Sequence, residues 1–137
     1  MSSVFLDTNV LAYQFDKGEP EKQERVSRLL ADSPHGFVIS TQVLLELFVV
    51  ITRKLRPAVP QAEAHRVVRS LARLPVVPAD ARLVLKATNT SGEHQMSVWD
   101  AMILEAAAEA GCDELWTEDF ATGAELRGVA IVNPLTG

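Results

Sequence analysis

The chain has 137 residues, of which 47% are hydrophobic and 23% are charged, and this size and composition predict one globular domain over residues 1–137. No apolar run reaches the roughly 18 to 20 residues of a membrane span, and no secretory signal opens the chain, so we expect a cytoplasmic protein. The net charge of -5 argues against a protein that wraps nucleic acid over its whole surface, and the single Cys112 excludes an internal disulfide.

Short β-rich runs alternate with longer helical patterns along the chain, which is typical of an α/β fold. Strands are predicted at residues 4–6, 37–39, 76–77, 114–117 and 130–132. Helices are predicted at residues 9–15, 21–31, 41–54, 61–74, 79–88 and 98–110. Pro20 and Pro60 stand where a first helical turn accepts proline, and Gly111 stands where a helix end favours a left-handed residue. The pattern predicts five short strands in a mostly parallel sheet.

Three acidic residues are predicted at one edge of this sheet. Asp7 directly follows the first strand, Asp119 follows the fourth, and Asp100 lies in the first turn of the helix after Ser97. With right-handed crossovers, helix N-termini and strand carboxyl ends meet at the edge where ligands bind. Because side chains alternate along a strand, Asp119 is expected to point to the same side as Thr117, toward the cleft. Its neighbour Glu118 is expected to point elsewhere.

Glu46 lies about 7.5 Å along the helix that follows the second strand, at 1.5 Å per residue, so its side chain can reach back to the same edge. Apolar residues surround it in sequence, and we therefore expect a buried helix. A buried carboxylate is costly unless a cation or a metal pairs with it.

Each acidic residue also has a structural interpretation. Asp7 and Asp100 are suited to capping helices, with Ser97 and Asp100 forming a capping-box pattern. Glu46 would pair with an arginine, and Glu118 and Asp119 would be turn residues. Four like charges in one cleft instead favour a hard divalent cation, because oxygen-only ligands suit Mg²⁺ or Mn²⁺ rather than zinc. Such a site suits hydrolysis of a phosphodiester.

Basic residues are concentrated between residues 53 and 73. This stretch contains six basic residues and one acidic residue, so its net charge is +5, whereas the rest of the chain carries a net charge of -10. The basic residues are Arg53, Lys54, Arg56, Arg66, Arg69 and Arg73. This basic segment is a candidate face for RNA or an acidic partner, and a solvated helix surface is the simpler alternative.

Four short motifs, in order and spacing, resemble the PIN domain family, and within it the VapC-type toxins of type II toxin-antitoxin systems. The motifs are Phe5-Leu6-Asp7-Thr8-Asn9, Glu46 after Ile39-Ser40-Thr41, Trp99-Asp100-Ala101, and Trp116-Thr117-Glu118-Asp119-Phe120. The resemblance implies a three-layer α/β/α fold with sheet order 3-2-1-4-5. It also implies that Asp7, Glu46, Asp100 and Asp119 are catalytic metal ligands, with Asn9 and Thr117 as polar supporting positions.

The resemblance further implies one or two Mg²⁺ or Mn²⁺ ions, an RNA substrate such as transfer or ribosomal RNA, a cognate antitoxin and a homodimer. We therefore expect a metal-dependent endoribonuclease that acts as a toxin. An RNA-processing nuclease of the same fold and a non-catalytic RNA-binding or partner-binding module remain alternatives. Two other fold families are disfavoured. A haloacid dehalogenase-like phosphatase normally has an aspartate where this chain has Asn9, and a receiver domain has paired acids at the first strand, which this chain lacks.

Overall fold

A computed structural model describes residues 2–120 and 122–136. Its strands form a single sheet in the order β3-β2-β1-β4-β6-β5, in which every neighbouring pair is parallel except β5 and β6. The strands are β1 Ser3–Leu6, β2 Gly36–Ser40, β3 Val76–Val77, β4 Glu114–Trp116, β5 Glu125–Leu126 and β6 Val129–Val132. The mostly parallel sheet predicted from the sequence is confirmed.

Helices connect these strands, as the sequence pattern predicts. They are α1 Thr8–Ala12, α2 Pro20–Asp32, α3 Thr41–Val49, α4 Gln61–Leu71, α5 Ala81–His94 and α6 Val98–Glu109. A 3₁₀ turn, Tyr13–Phe15, extends α1, and a π-helical turn, Val50–Lys54, extends α3. None of the helices in the described ranges is long and apolar enough to cross a membrane.

The central strand β1 explains why the functional edge lies where it does. Val4, Phe5 and Leu6 are almost completely buried although their side chains alternate between the two faces, so helices cover both faces of the sheet. This arrangement is the three-layer fold that was predicted. The carboxyl ends of β1 and β4 are neighbours, because Leu6 pairs with Trp116, and the residues that follow them emerge side by side.

The sheet has one strand more than predicted. The predicted order of five strands matches β3-β2-β1-β4-β6, and β5 adds a two-residue antiparallel edge. A tight turn joins β5 to β6, with Arg127 and Gly128 at φ 53° and 78°. A strand this short has no alternation that a sequence pattern could reveal, and it exists because the turn folds it back onto β6.

Two helices also differ from prediction. Helix α5 continues to His94 instead of ending at Thr88, because Thr90, in a polar stretch that resembles a turn, is buried against α6. Helix α3 is not buried on all sides, as its apolar sequence predicted, since Leu45 is 71% exposed. The exposed side of α3 lines a cavity.

Candidate metal centre

Asp7 is fixed by hydrogen bonds to both of its carboxylate oxygens. It follows β1 as the N-cap of α1, where the Thr8 backbone N–H donates to Oδ1 at 2.7 Å. The Thr117 hydroxyl donates to Oδ2 at 2.8 Å. Only 5% of Asp7 is exposed, and it has no cationic partner among the described residues. The cap predicted as an alternative role therefore forms, but it leaves a buried charge without a counter-charge.

Thr117 and Asn9 connect Asp7 to the turn after β4. The fully buried Thr117 hydroxyl accepts from the Asn9 amide at 3.3 Å and from the Asp119 backbone N–H at 3.1 Å. Asn9 Oδ1 in turn accepts from the Glu118 backbone N–H at 3.3 Å. These bonds fix the turn that carries Asp119 relative to the turn that carries Asp7.

Glu46 is held by neutral donors only. The Thr8 hydroxyl donates to Oε1 at 3.0 Å, and the amide of Gln42, one helical turn earlier, donates to Oε2 at 3.3 Å. No arginine or lysine pairs with Glu46 anywhere in residues 2–120 or 122–136, so the arginine pairing considered from the sequence is absent there. No side chain in the described ranges forms an ion pair with its carboxylate.

Asp100 and Asp119 are the other two of the four carboxylates predicted to form the site. The Asp100 backbone N–H donates to Ser97 Oγ at 3.1 Å, which is the helix cap that the sequence predicted. The Asp100 side chain nevertheless lines a cavity of about 550 Å³, together with Asp7, Glu46 and Asp119. A capping position and a place in the cavity are thus compatible for the same residue.

The electrostatics show that the four carboxylates influence one another. The pKa of Asp7 is raised to about 6, mainly by burial and also by the charges of Asp119 and Glu46, while the hydrogen bonds from Thr117 and Thr8 oppose the rise. Burial also raises the pKa of Asp100, with the charges of Asp119 and Glu46 adding to the effect. Like charges are crowded here, and a cation would relieve the repulsion.

Glu118, the neighbour of Asp119, does not join the four carboxylates at the cavity. Tyr13 donates a hydrogen bond to its Oε1 at 2.7 Å, and Lys22 Nζ lies 3.7 Å from its Oε2. Asp119 lines the cavity and Glu118 is not among the lining residues. The alternation argued from Thr117 gives the same division between the two side chains.

The donor set fits a hard divalent cation, because the four carboxylates above and that of Asp16 line this cavity, with no sulfur or imidazole ligand. Across the described ranges, no three acidic, histidine or cysteine side chains are gathered closely enough to bind one ion as they stand. The hydrogen bonds from Thr8, Thr117 and Gln42 hold the carboxylates of Asp7 and Glu46 in separate positions.

A comparison with protein-family models matches residues 4–121 to the PIN domain. The chain belongs to the PIN domain family. The matched range includes all four carboxylates. No match is found among the curated proteins.

Solved structures with the same fold include several toxins. This PIN domain is similar to the Mycobacterium tuberculosis toxin VapC20, which cleaves the sarcin-ricin loop. The two chains share 24% identity with a TM-score of 0.71, over 85% of this chain and 89% of the other. It is similar to a chain of a Klebsiella pneumoniae toxin-antitoxin complex over 96% and 97% of the two chains, with 21% identity and a TM-score of 0.71. A FitAB complex bound to a DNA fragment shows 20% identity over 96% and 94%, with a TM-score of 0.70. At these identities the likeness establishes the fold.

The basic segment of the PIN domain begins at the cavity. All six basic residues between positions 53 and 73 are exposed, and none forms an ion pair with any residue in the ranges 2–120 and 122–136. Lys54 lines the cavity wall. Arg56 donates to the carbonyl oxygens of Arg53 and Leu55, each at 3.4 Å. The positive charge is therefore available to an external anion.

Sequence reasoning missed three residues of this site: Thr8, Gln42 and Trp99. Gln42 was detectable, because it precedes Glu46 by four positions on one helix, where side chains meet. The hydroxyl of Thr8 bonds a residue 38 positions away, and no local pattern predicts such a contact. Trp99 lines the cavity with an exposed ring, which its place beside Asp100 did not reveal.

Proposed function

We propose that this PIN domain is a metal-dependent endoribonuclease, the toxin of a toxin-antitoxin pair. The observation that carries the proposal is the meeting of Asp7, Glu46, Asp100 and Asp119 around one cavity without a cationic partner. VapC20, a structural neighbour, is a toxin that cleaves the sarcin-ricin loop, and this supports RNA as the substrate. The toxin-antitoxin complex from Klebsiella pneumoniae supports an antitoxin partner.

The four carboxylates would hold one or two Mg²⁺ or Mn²⁺ ions. Bound divalent cations lower the pKa of an attacking water and stabilise the charge on phosphodiester oxygens. The residues around the ligands do the positioning. Thr117 and the Thr8 N–H orient the two oxygens of Asp7, while Gln42 and the Thr8 hydroxyl orient those of Glu46. Fixed ligands of this kind reduce the reorganisation that the reaction requires.

The exposed basic segment supplies the attraction for a polyanion that the acidic site itself repels. Lys54 stands at the cavity wall with Arg53 and Arg56 beside it in sequence, Arg66 and Arg69 lie on α4, and Arg73 follows the end of that helix. We propose that this segment binds the RNA phosphates on either side of the cut. An acidic segment of the antitoxin would bind the same cations, so the partner would compete with RNA.

Cleavage of RNA by purified protein, with Mg²⁺ or Mn²⁺ and with a chelator, tests the activity. We expect cleavage only with metal, and its loss in Asp7→Asn, because the variant removes one charged ligand and keeps the side-chain shape. Glu24→Gln is the control, since Glu24 is an exposed carboxylate on α2 paired with Arg28. Metal-independent cleavage, or equal cleavage by Asp7→Asn, would refute the proposal, and RNA binding without cleavage would favour a non-catalytic module.

Expression in a bacterium tests the toxin role. We expect growth to stop on expression of the wild type and to continue with Asp7→Asn. Co-expression of the product of the neighbouring reading frame should restore growth if that product is the antitoxin. An active nuclease that leaves growth unaffected would be an RNA-processing enzyme instead of a toxin.

A further inference from the structure

Trp99 presents an aromatic ring to solvent beside the carboxylates. Its side chain is 64% exposed, whereas the other tryptophan of the chain, Trp116, is only 6% exposed. Trp99 lines the same cavity as the four carboxylates and directly precedes Asp100 in α6. Exposing so large an apolar ring is unfavourable in water, and a ring in this position is suited to contact a ligand.

The backbone of Trp99 is tied to the carboxylate group. The buried Gln42 amide donates to the Trp99 carbonyl oxygen at 3.2 Å and to Glu46 Oε2 at 3.3 Å. The first turn of α6 is capped by Ser97 through the Asp100 N–H. The start of α6 therefore has a fixed position relative to Glu46, and the ring is carried by a rigid element.

The cavity around the ring offers more room than metal ions fill. Its volume of about 550 Å³ lies within the range of about 300 to 1,000 Å³ that is typical of small-molecule sites. The exposed side chains of Leu45 and Val49, one turn apart on α3, add apolar lining, and Lys54 adds a positive charge. This lining matches the chemistry of a nucleotide. The aromatic ring and the apolar side chains suit the base and sugar, and the cation and the metal-binding carboxylates suit the phosphate.

We propose that Trp99 stacks on an unpaired base of the RNA next to the scissile phosphate, an inference that rests on the proposed function. Base faces inside a duplex are covered by their stacked neighbours, so a protein ring reaches a base only where it is unstacked. The substrate class is therefore RNA that is single-stranded at the cut, such as a loop. Stacking on an aromatic ring accepts every base, so Trp99 selects for structure more than for sequence.

A cation on the cavity wall suits the phosphate of a stacked nucleotide. Lys54 has no carboxylate partner in the part of the chain that the structure describes, and it lies on the wall of the same cavity as the ring. A nucleotide that stacks on Trp99 would present its phosphate to Lys54 and to the carboxylate site together. A partner protein that docks on the ring is the other outcome of the test.

Cleavage rates and tryptophan fluorescence test the proposal together. Substrates are a short single-stranded RNA of mixed sequence and the same strand annealed into a duplex. In Mg²⁺, Trp99→Leu should lose about 10-fold or more of kcat/KM on the single strand, while Trp99→Phe, which keeps a stacking ring, stays within about threefold. Leu85→Ala is the control, because Leu85 is an exposed apolar residue on α5 outside the cavity, and it should match the wild type.

Fluorescence separates the two proposals. On rapid mixing with the single strand, before products accumulate, the wild type should show quenching that is absent in Trp99→Phe and weak with the duplex. The rise in melting temperature with Mg²⁺ should be equal in all variants, because Trp99 is not a metal ligand.

Cleavage by the wild type with no quenching, an unimpaired Trp99→Leu, or equal cleavage of the duplex would overturn the stacking proposal and leave the nuclease intact. Loss of partner binding alone in Trp99→Leu would assign the ring to a protein partner and would also overturn it. Quenching without cleavage of any RNA would support stacking and refute the nuclease, whereas neither signal would refute both.

Discussion

Two buried carboxylates in this protein have opposite surroundings. Glu105, 6% exposed, accepts hydrogen bonds from Thr90 at 2.6 Å and from Arg127 Nε at 3.0 Å, so its charge is neutralised within the fold. Asp7, 5% exposed, accepts hydrogen bonds only from a hydroxyl and a backbone N–H, and carboxylates surround it. The first carboxylate is neutralised within the fold, and the second has no ion-pair partner among the described residues.

A structural acid differs from a candidate functional acid in whether the fold supplies its ion-pair partner. Arg127 clamps the turn between β5 and β6 to α5 and α6 through Glu105 and Thr90, and it does so with a left-handed backbone. At the Asp7 site the fold brings like charges together, and no cation of the described chain forms an ion pair with them. An arrangement that costs stability is expected to persist where it serves function.

The largest expected effect is on cleavage, within the pair of adjacent acids. Asp119→Asn should lose more than the roughly 10- to 100-fold that is typical of outer-shell changes at metal sites, because Asp119 lines the cavity. Glu118→Gln should change cleavage little, since Tyr13 and Lys22 hold Glu118 away from it. Initial rates with saturating Mg²⁺ and comparable melting temperatures provide the measurement, and the reverse ranking would contradict the assignment.

Removing the counter-charge of Glu105 should strongly destabilise the fold. Arg127→Met leaves a buried carboxylate unpaired, and we expect a loss of about 2 to 3 kcal/mol in the free energy of unfolding, below the value for a fully buried pair because Arg127 is partly exposed. Arg82→Met is the control, because its ion pair with Glu109 is more exposed and should contribute under about 1 kcal/mol. Equal losses in urea denaturation would show that the Glu105 site is an ordinary surface pair.

Much of this architecture could be predicted from the sequence. The alternation of apolar runs predicts the parallel sheet, and the parallel sheet predicts that Asp7 and Asp119 follow strand ends at one edge. That their strands are neighbours came from the sheet order that the family resemblance implies. The length of α5 could not be predicted, because Thr90 lies in a polar stretch and is buried through a contact with Glu105, fifteen positions later. Long-range polar contacts of this kind leave no local pattern.

The surroundings of the acidic residues were harder to predict than the residues themselves. An apolar sequence around Glu46 predicts a buried helix, yet Leu45 lines an open cavity. Apolar residues that face a binding cavity and those that face the core have the same sequence signature. The hydroxyl that bonds Glu46, from Thr8, depends on how α1 packs against α3, which the tertiary structure alone reveals.

Without metal, the charge of Asp7 should cost stability in a pH-dependent way. Its folded pKa of about 6 exceeds the ordinary 3.8, so the folded state holds a proton that the unfolded state releases between about pH 4 and pH 6. Stability therefore falls as pH rises through that window, by about 3 kcal/mol for this group. In a chelator, the stability of Asp7→Asn relative to wild type should rise by a similar amount from pH 4 to pH 7.5. Parallel denaturation curves at both pH values would contradict the pKa shift.

The smallest effect is expected from the basic segment, where charges are exposed and screened. The double variant Arg66→Glu, Arg69→Glu should weaken RNA binding and reduce the dependence of log Kd on log salt, by about 0.7 for each phosphate of a single strand that the variant no longer binds. Lys86→Glu, an exposed cation on α5, is the control. Binding is titrated at several salt concentrations, and an unchanged slope would exclude the segment as an RNA surface.

Calorimetric titration of Mg²⁺ and Mn²⁺ into the chelator-treated protein tests most directly whether the Asp7 cavity is a metal site. We expect binding by the wild type, at least about 10-fold weaker binding by Asp7→Asn, and unchanged binding by Glu105→Gln, whose carboxylate already has its counter-charge. No binding by the wild type, or equal weakening in the two variants, would contradict the claim that the cation belongs to the Asp7 cavity.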